Sequence, residues 1–183
     1  MSSNFIELDG LPIHTNLEEE LERIVGLSFQ QCCLNAPPGH EDDIFFGVGS
    51  LKYDWDKSTI NPDGSTNVPL RDKVLLESNF TELCNVFRGT VFEDIYLSIK
   101  KKYDIGRVRI MILNPRNCLS WHVDGLNRVH YPIKTKEGCY MVIEDEVKHL
   151  EQNKWYFTKT LKPHTVFNGS NDKRIHLVVT VYQ

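Results

Sequence analysis

The chain has 183 residues, 40% hydrophobic and 25% charged, which is ordinary globular composition with enough length to enclose one sizeable core. A formal net charge of -4 gives no overall attraction for a polyanion, and the longest apolar runs, such as Leu177–Val179, fall far short of the roughly 20 residues that a membrane span needs. Five cysteines (Cys32, Cys33, Cys84, Cys118, Cys139) without any C-x-x-C spacing argue against a disulfide framework or a zinc knuckle.

The first residues lack the basic and apolar segments of a secretory signal, so cytoplasmic residence is expected. Thr15 or Asn16 can cap a first helix through about Val25, because Leu17, Leu21, Ile24 and Val25 share one face and acidic residues crowd its start. Gly26 ends it. From Gln30 to Asp72 the chain is rich in Pro, Gly, Asn and Asp, with short strands expected around Ile44–Phe46. So long an irregular segment in a compact domain reads as a lid or cover.

A second helix is expected from Ser78 or Thr81 to Lys102, since Phe80, Leu83, Val86, Phe87, Val91, Ile95 and Ile99 recur at helical spacing, with Gly89 a point of bending or breaking. The Lys100–Lys102 run reads as its solvated end. After Tyr103 the period changes to two: Val108, Ile110 and Ile112 oppose Arg107, Arg109 and Met111. Further strands are expected near 119–123, 128–134, 138–144, 154–158, 164–168 and 174–182. A mainly β domain with flanking helices follows, packed as a barrel or jelly-roll-like sandwich.

The chemistry concentrates in this second half. His122 and Asp124 are one residue apart, so on a strand both project from one face while Val123 turns to the other. Alone, H-x-D is weak, since a surface His and Asp two apart is common. His164 opens the apolar strand His164–Asn168 and supplies a third donor. Two imidazoles and a carboxylate make the facial triad that leaves positions open on Fe(II) for O2 and a chelating acid. Arg174, ten positions after His164, offers a bidentate partner for the distal carboxylate of 2-oxoglutarate. Asn168 shares a face with His164 and can reach co-substrate or satisfy loop backbone; His176 shares one with Arg174 and reads as a packed core histidine. Trp121 and Trp155 read as core or rim packing residues, and Cys139 as a small core hydrophobe.

These residues resemble the aspartyl/asparaginyl β-hydroxylase family of 2-oxoglutarate oxygenases, a group that also contains bacterial enzymes acting on free proline. The resemblance runs from Gly106 to Tyr182, through Gly106–Ile110, Ser120–Asp124, Arg128–Ile133, Trp155, and His164–Asn168 followed by Arg174–Leu177. It implies a double-stranded β-helix (jelly-roll, cupin-like), with iron held by His122, Asp124 and His164 and 2-oxoglutarate held by Arg174. It further implies that Arg128 and His130 help bind the co-substrate's carboxylates. The family's animal members have a membrane anchor and helical repeats and lack a carboxylate at the iron site, whereas here Asp124 is present and the chain is expected to be the catalytic domain alone. Residues 1–105 carry no family signature and are expected to cover the barrel that residues 106–183 form, within one domain.

The implied activity is hydroxylation of an amino acid, a peptidyl Asp/Asn/Pro-type residue or a small metabolite, with succinate and CO2 as co-products and Fe(II), 2-oxoglutarate and O2 consumed or held. A non-catalytic cupin-like module that binds a metal or small acid would keep the triad but have no need for Arg174. Isomerases and thiol dioxygenases on such barrels favour three histidines. Net acidity and the lack of a basic aromatic stripe disfavour a nucleic-acid substrate.

Overall fold

The computed structural model describes residues 3–182. Strand β1 (Phe5–Leu8) precedes helix α1 (Leu17–Val25). Five short strands follow: β2 (Gln31–Cys33), β3 (Asn35–Ala36), β4 (Thr59–Ile60), β5 (Thr66–Asn67) and β6 (Glu82–Leu83). After helix α2 (Val91–Lys102) come β7 (Ile105–Leu113), β8 (Asn117–Cys118), β9 (Asn127–Lys134), β10 (Cys139–Ile143), β11 (Glu146–Lys148), β12 (Trp155–Thr158), β13 (His164–Asn168) and β14 (Arg174–Val181).

A six-stranded antiparallel sheet has the order β1-β12-β9-β14-β7-β2, and a four-stranded one the order β11-β10-β13-β8. Apart from the β10–β11 hairpin, which stays within the smaller sheet, consecutive strands of β7 to β14 alternate between the sheets, which makes a double-stranded β-helix. Phe5, Leu113 and Tyr156 from the larger sheet meet Met141, Ile143 and Val166 from the smaller one in a core between them. The outer face of the larger sheet carries Val108, Ile110, Val129, Tyr131, Leu177 and Val179. These bury against Leu17 and Leu21 of α1 and Phe92, Ile95 and Ile99 of α2. Because both faces of the central strands are covered, β14 is buried from end to end and shows no solvent-facing alternation.

The first helix lies where its periodicity predicts, between Asn16 and Gly26, whose φ of 75° only a glycine adopts easily. The second is shorter than expected. It starts at Val91 because Thr90 is extended and its hydroxyl accepts the amide of Phe92, while Gly89 at φ 71° turns the chain away. Upstream, Phe80, Leu83 and Phe87 are buried as the helical pattern suggests, but two 3-10 turns and β6 carry them. The amide of Cys84 is already bonded to the carbonyl of Leu34, so no helix can use it. Residues Ile44–Phe46 form turns rather than a strand, whereas Gln31–Cys33, inside the expected cover, pairs with β7 at the edge of the larger sheet. No helix among the described residues is long and apolar enough to cross a membrane.

Trp155 is buried and donates its indole N–H to the carbonyl of Pro12, while Trp121 is exposed. Cys139 is buried in β10, as a small core residue should be.

Candidate active site

His122, Asp124 and His164 bring one donor atom each to within 4.8 Å of one another. The expected continuous strand through His122 and Asp124 does not form. His122 instead makes an isolated antiparallel bridge with His164, and the amide of Asp124 donates to the carbonyl of Thr160 at 3.0 Å. Backbone pairing to the segment that carries the third donor thus does what strand alternation would have done. Val123 is consequently exposed rather than packed on an opposite layer.

Both imidazoles are oriented by main chain. Nδ1 of His122 lies 2.8 Å from the carbonyl of Ser120, and Nδ1 of His164 lies 2.9 Å from that of Lys162. A carbonyl only accepts, so each Nδ1 carries the proton and each Nε2 presents its lone pair to the triad. Burial holds His164 below the ordinary histidine range, and the nearby His122 adds to this against the Lys162 carbonyl. Two imidazoles with Nε2 turned toward a carboxylate are the donor set that suits a divalent ion of the Fe(II) type.

The triad opens on a cavity of about 280 Å³, which is also lined by Arg128, His130, Arg174 and Arg109. The rows of the larger sheet explain this grouping. Arg128 and His130 on β9, Arg107, Arg109 and Met111 on β7, and Arg174, His176 and Val178 on β14 all occupy the positions that alternate with the outer apolar core.

Arg174 is buried, and among the described residues it has no carboxylate partner. Its Nη2 donates to Nδ1 of His176 at 3.1 Å, which makes His176 a neutral acceptor and leaves the rest of the guanidinium facing the cavity. Burial lowers its pKa to about 10, so it stays charged at neutral pH. Arg128 Nε lies 3.1 Å from Asp124 Oδ2, but its N–H is not aimed at that oxygen, and both Nε and Nη1 are buried without a hydrogen bond. Nδ1 of His130 is likewise buried and unpartnered. Burial, with Arg174 next, holds His130 well below the usual histidine range. Unsatisfied buried donors beside an unpaired guanidinium are what a carboxylate-rich co-substrate would complete.

Asn168 is turned away from this cavity. Its Nδ2 donates to the carbonyls of Leu113, Asn114 and Asp172, and its Oδ1 accepts from Ser170 and the Cys139 thiol. It therefore closes the end of β13 against the start of β14, the loop-satisfying alternative for this side chain.

Glu77 carries no signal in the sequence yet sits at the centre of the arginines. Its carboxylate accepts from the amide and Nη2 of Arg107 and from the Thr180 hydroxyl, and lies 3.6 Å from Arg128 Nη2. Gly106 permits this approach, since a Cβ there would come within 2.9 Å of Glu77 Cβ. The period-two alternation in Arg107 to Met111 was the available signal for the arginines themselves. In a sheet covered on both sides, its polar face is the cavity floor.

A family model described as Aspartyl/Asparaginyl beta-hydroxylase matches residues 45–183. No curated protein sequence matches the chain. Among solved structures the chain is similar to a cupin domain from Bordetella pertussis, at 16% identity over 44% of this chain and 84% of that one, with a TM-score of 0.39. AerE from Microcystis aeruginosa aligns at 16% identity over 42% of this chain and 36% of that one, with a TM-score of 0.38. An oxidoreductase of the 2OG-Fe(II) oxygenase family from Burkholderia pseudomallei aligns at 17% identity over 43% of each chain, with a TM-score of 0.37. The aligned part covers less than half the length of the last two proteins.

Proposed function

Because the chain belongs to the aspartyl/asparaginyl beta-hydroxylase family, we propose that it is an Fe(II)- and 2-oxoglutarate-dependent dioxygenase that hydroxylates an amino acid, a peptidyl residue or a small metabolite. The observation that carries this reading is one cavity holding both a two-histidine, one-carboxylate donor cluster and a buried arginine without a counter-ion. An unpaired buried guanidinium costs stability unless a ligand completes it, so the cavity suits an anion together with a metal.

His122, Asp124 and His164 would hold the metal, and Arg174 the distal carboxylate of 2-oxoglutarate, with Arg128 and His130 at the other carboxyl end. Bound there, Fe(II) supplies the redox chemistry, in which O2, 2-oxoglutarate and substrate C–H become succinate, CO2 and substrate C–OH. The chain's own contribution is geometric. The Ser120 and Lys162 carbonyls fix both imidazole tautomers before any ligand arrives. Arg174 sits on a strand hydrogen-bonded on both sides, so its fork is presented in a fixed direction. Met141, Val166 and Val178 make apolar walls that restrict water around the reacting carbon.

The test is an anaerobic titration of the protein with Fe(II) and 2-oxoglutarate, followed by admission of air and measurement of succinate. A visible charge-transfer absorption on adding 2-oxoglutarate, and succinate formation in air, are expected. Absence of both from the wild-type protein would refute the reading.

A further inference from the structure

Arg109 is a third buried guanidinium in the cavity, beside Arg128 and Arg174, and the reaction proposed above leaves it unused. It is 8% exposed, its Nε is buried with no partner, and its one side-chain hydrogen bond among the described residues runs from Nη1 to Gln31 Oε1 at 3.2 Å. The neighbouring charges are already matched: Arg107 pairs with Glu77 at 3.2 Å, and Arg128 lies between Glu77 and Asp124. A dianionic co-substrate offsets a divalent ion charge for charge. The cavity therefore stays cationic with metal and co-substrate both in place. Arg109 remains protonated at neutral pH even though burial, Arg107 and Arg128 lower its pKa to about 9.

Its position separates it from Arg174. Val178 pairs with Arg109 on one side and His130 on the other, and Arg174 lies four residues along the same strand. At ~3.3 Å per residue the two arginine rows are about 13 Å apart along β14, so Arg109 does not share the row of the fork assigned to the distal carboxylate. Arg109 lies in the row of His130, on the opposite side of Val178. Gln31, from the edge strand β2, holds one arm of its fork, and Gln31 Oε1 also accepts the amide of Gly49 from the cover. Gln31 also lines the cavity.

We infer that the substrate is a small free carboxylic acid whose carboxylate binds Arg109, with Gln31 setting the guanidinium's orientation. This rests on the dioxygenase reading for the rest of the site. It narrows the substrate from amino acid, peptide or metabolite to a molecule with a free carboxylate, bound at a guanidinium that the co-substrate assignment leaves unused.

The experiment uses the full chain loaded with Mn(II), which does not turn over, and 2-oxoglutarate. Calorimetric titration would follow a panel of free L-α-amino acids and simple monocarboxylic acids, each beside its carboxamide, and N-acetyl-aspartyl amide. At least one free acid should bind, with its carboxamide at least about 10-fold weaker, a difference of about 1.4 kcal/mol. R109Q should weaken that acid by about 10-fold or more and R109K by less, while Mn(II) and 2-oxoglutarate affinities change by less than about 2-fold. Carboxamides binding as well as acids, N-acetyl-aspartyl amide binding as well as the best free acid, no acid binding, or acid binding indifferent to R109Q and R109K would each overturn the inference. Loss of 2-oxoglutarate rather than acid in R109K would overturn it too, by making Arg109 part of the co-substrate site. The titrations are repeated on metal-free protein. Failure of the wild type to bind Mn(II) and 2-oxoglutarate would count against the dioxygenase reading, whereas Arg109-dependent acid binding without metal would uphold the anion site independently.

Discussion

His122 and His164 bond to each other through the main chain in both directions, His122 N to His164 O at 3.1 Å and His164 N to His122 O at 2.9 Å, and their rings lie 4.2 Å apart between centroids. This single bridge fixes the separation of two prospective ligands more tightly than side-chain packing could, since His122 itself is exposed.

Replacing a ligand should therefore remove metal without unfolding the barrel. His122→Ala, Asp124→Ala and His164→Ala are each expected to weaken Mn(II) or Fe(II) binding by on the order of 100-fold or more, beyond what outer-shell changes usually cost. Titration monitored by electron paramagnetic resonance checks this, with thermal denaturation of the metal-free proteins as the control. Unaltered metal affinity in any of the three would remove that residue from the triad.

Arg174→Ala should act on the co-substrate instead. Losing a charge-assisted fork is worth about 3 kcal/mol, on the order of 100-fold in 2-oxoglutarate affinity. Arg174→Lys keeps the charge but not the geometry and should fall between. Calorimetry of the Mn(II)-loaded variants gives the ranking; equal affinity in Arg174→Ala would place the anchor elsewhere.

Acid should destabilise the metal-free protein through its buried imidazoles. Burial, with Arg174 the next cause for both, holds His130 and His176 well below the ordinary histidine value when folded. The unfolded chain binds the extra protons first, so this contribution is present above the unfolded pKa of about 6.5 and is lost as pH falls below it. Each histidine should cost about 1 kcal/mol between roughly pH 6.5 and 5.5. Urea denaturation across that range measures the slope, and His130→Asn should flatten it; a slope unchanged by that variant would show that His130 does not titrate as its burial requires.

Glu77→Ala leaves Arg107 and Arg128 without their shared carboxylate and should destabilise the fold by about 3 kcal/mol, the usual scale for breaking a buried ion pair. Glu77→Gln retains acceptor capacity and should cost less. Gly106→Ala is expected to be destabilising by about 1–3 kcal/mol, because its methyl would press on the same residue. Equal denaturation midpoints for Glu77→Ala and wild type would show the arginine cluster to be solvated in solution.

The second half of the chain was legible because its strands alternate and its donors have fixed spacing: β9, β10, β12, β13 and β14 lie within a residue or so of their expected limits. Helical spacing overextends α2 because Phe80, Leu83 and Phe87 are buried at that spacing without being helical, a coincidence of side-chain positions that backbone bonding decides. Arg109 and Glu77 were illegible as partners or site residues for a different reason. One lies on a polar strand face that looks solvent-directed until the second sheet is known, and the other comes from a turn whose contact with Arg107 spans thirty positions. Asn168 had two readings on its strand face, and only the positions of Leu113, Asn114 and Asp172 distinguish them.

β14 has one further consequence. From His176 to Val179 it pairs with both β7 and β9, so hydrogen exchange there should require near-global opening, whereas His122 is tied to the rest by one bridge at the rim. The two ends of the site thus belong to parts of the molecule with different opening free energies. A brief local fluctuation can release the exposed metal-side histidine while the arginine at the other end stays in place.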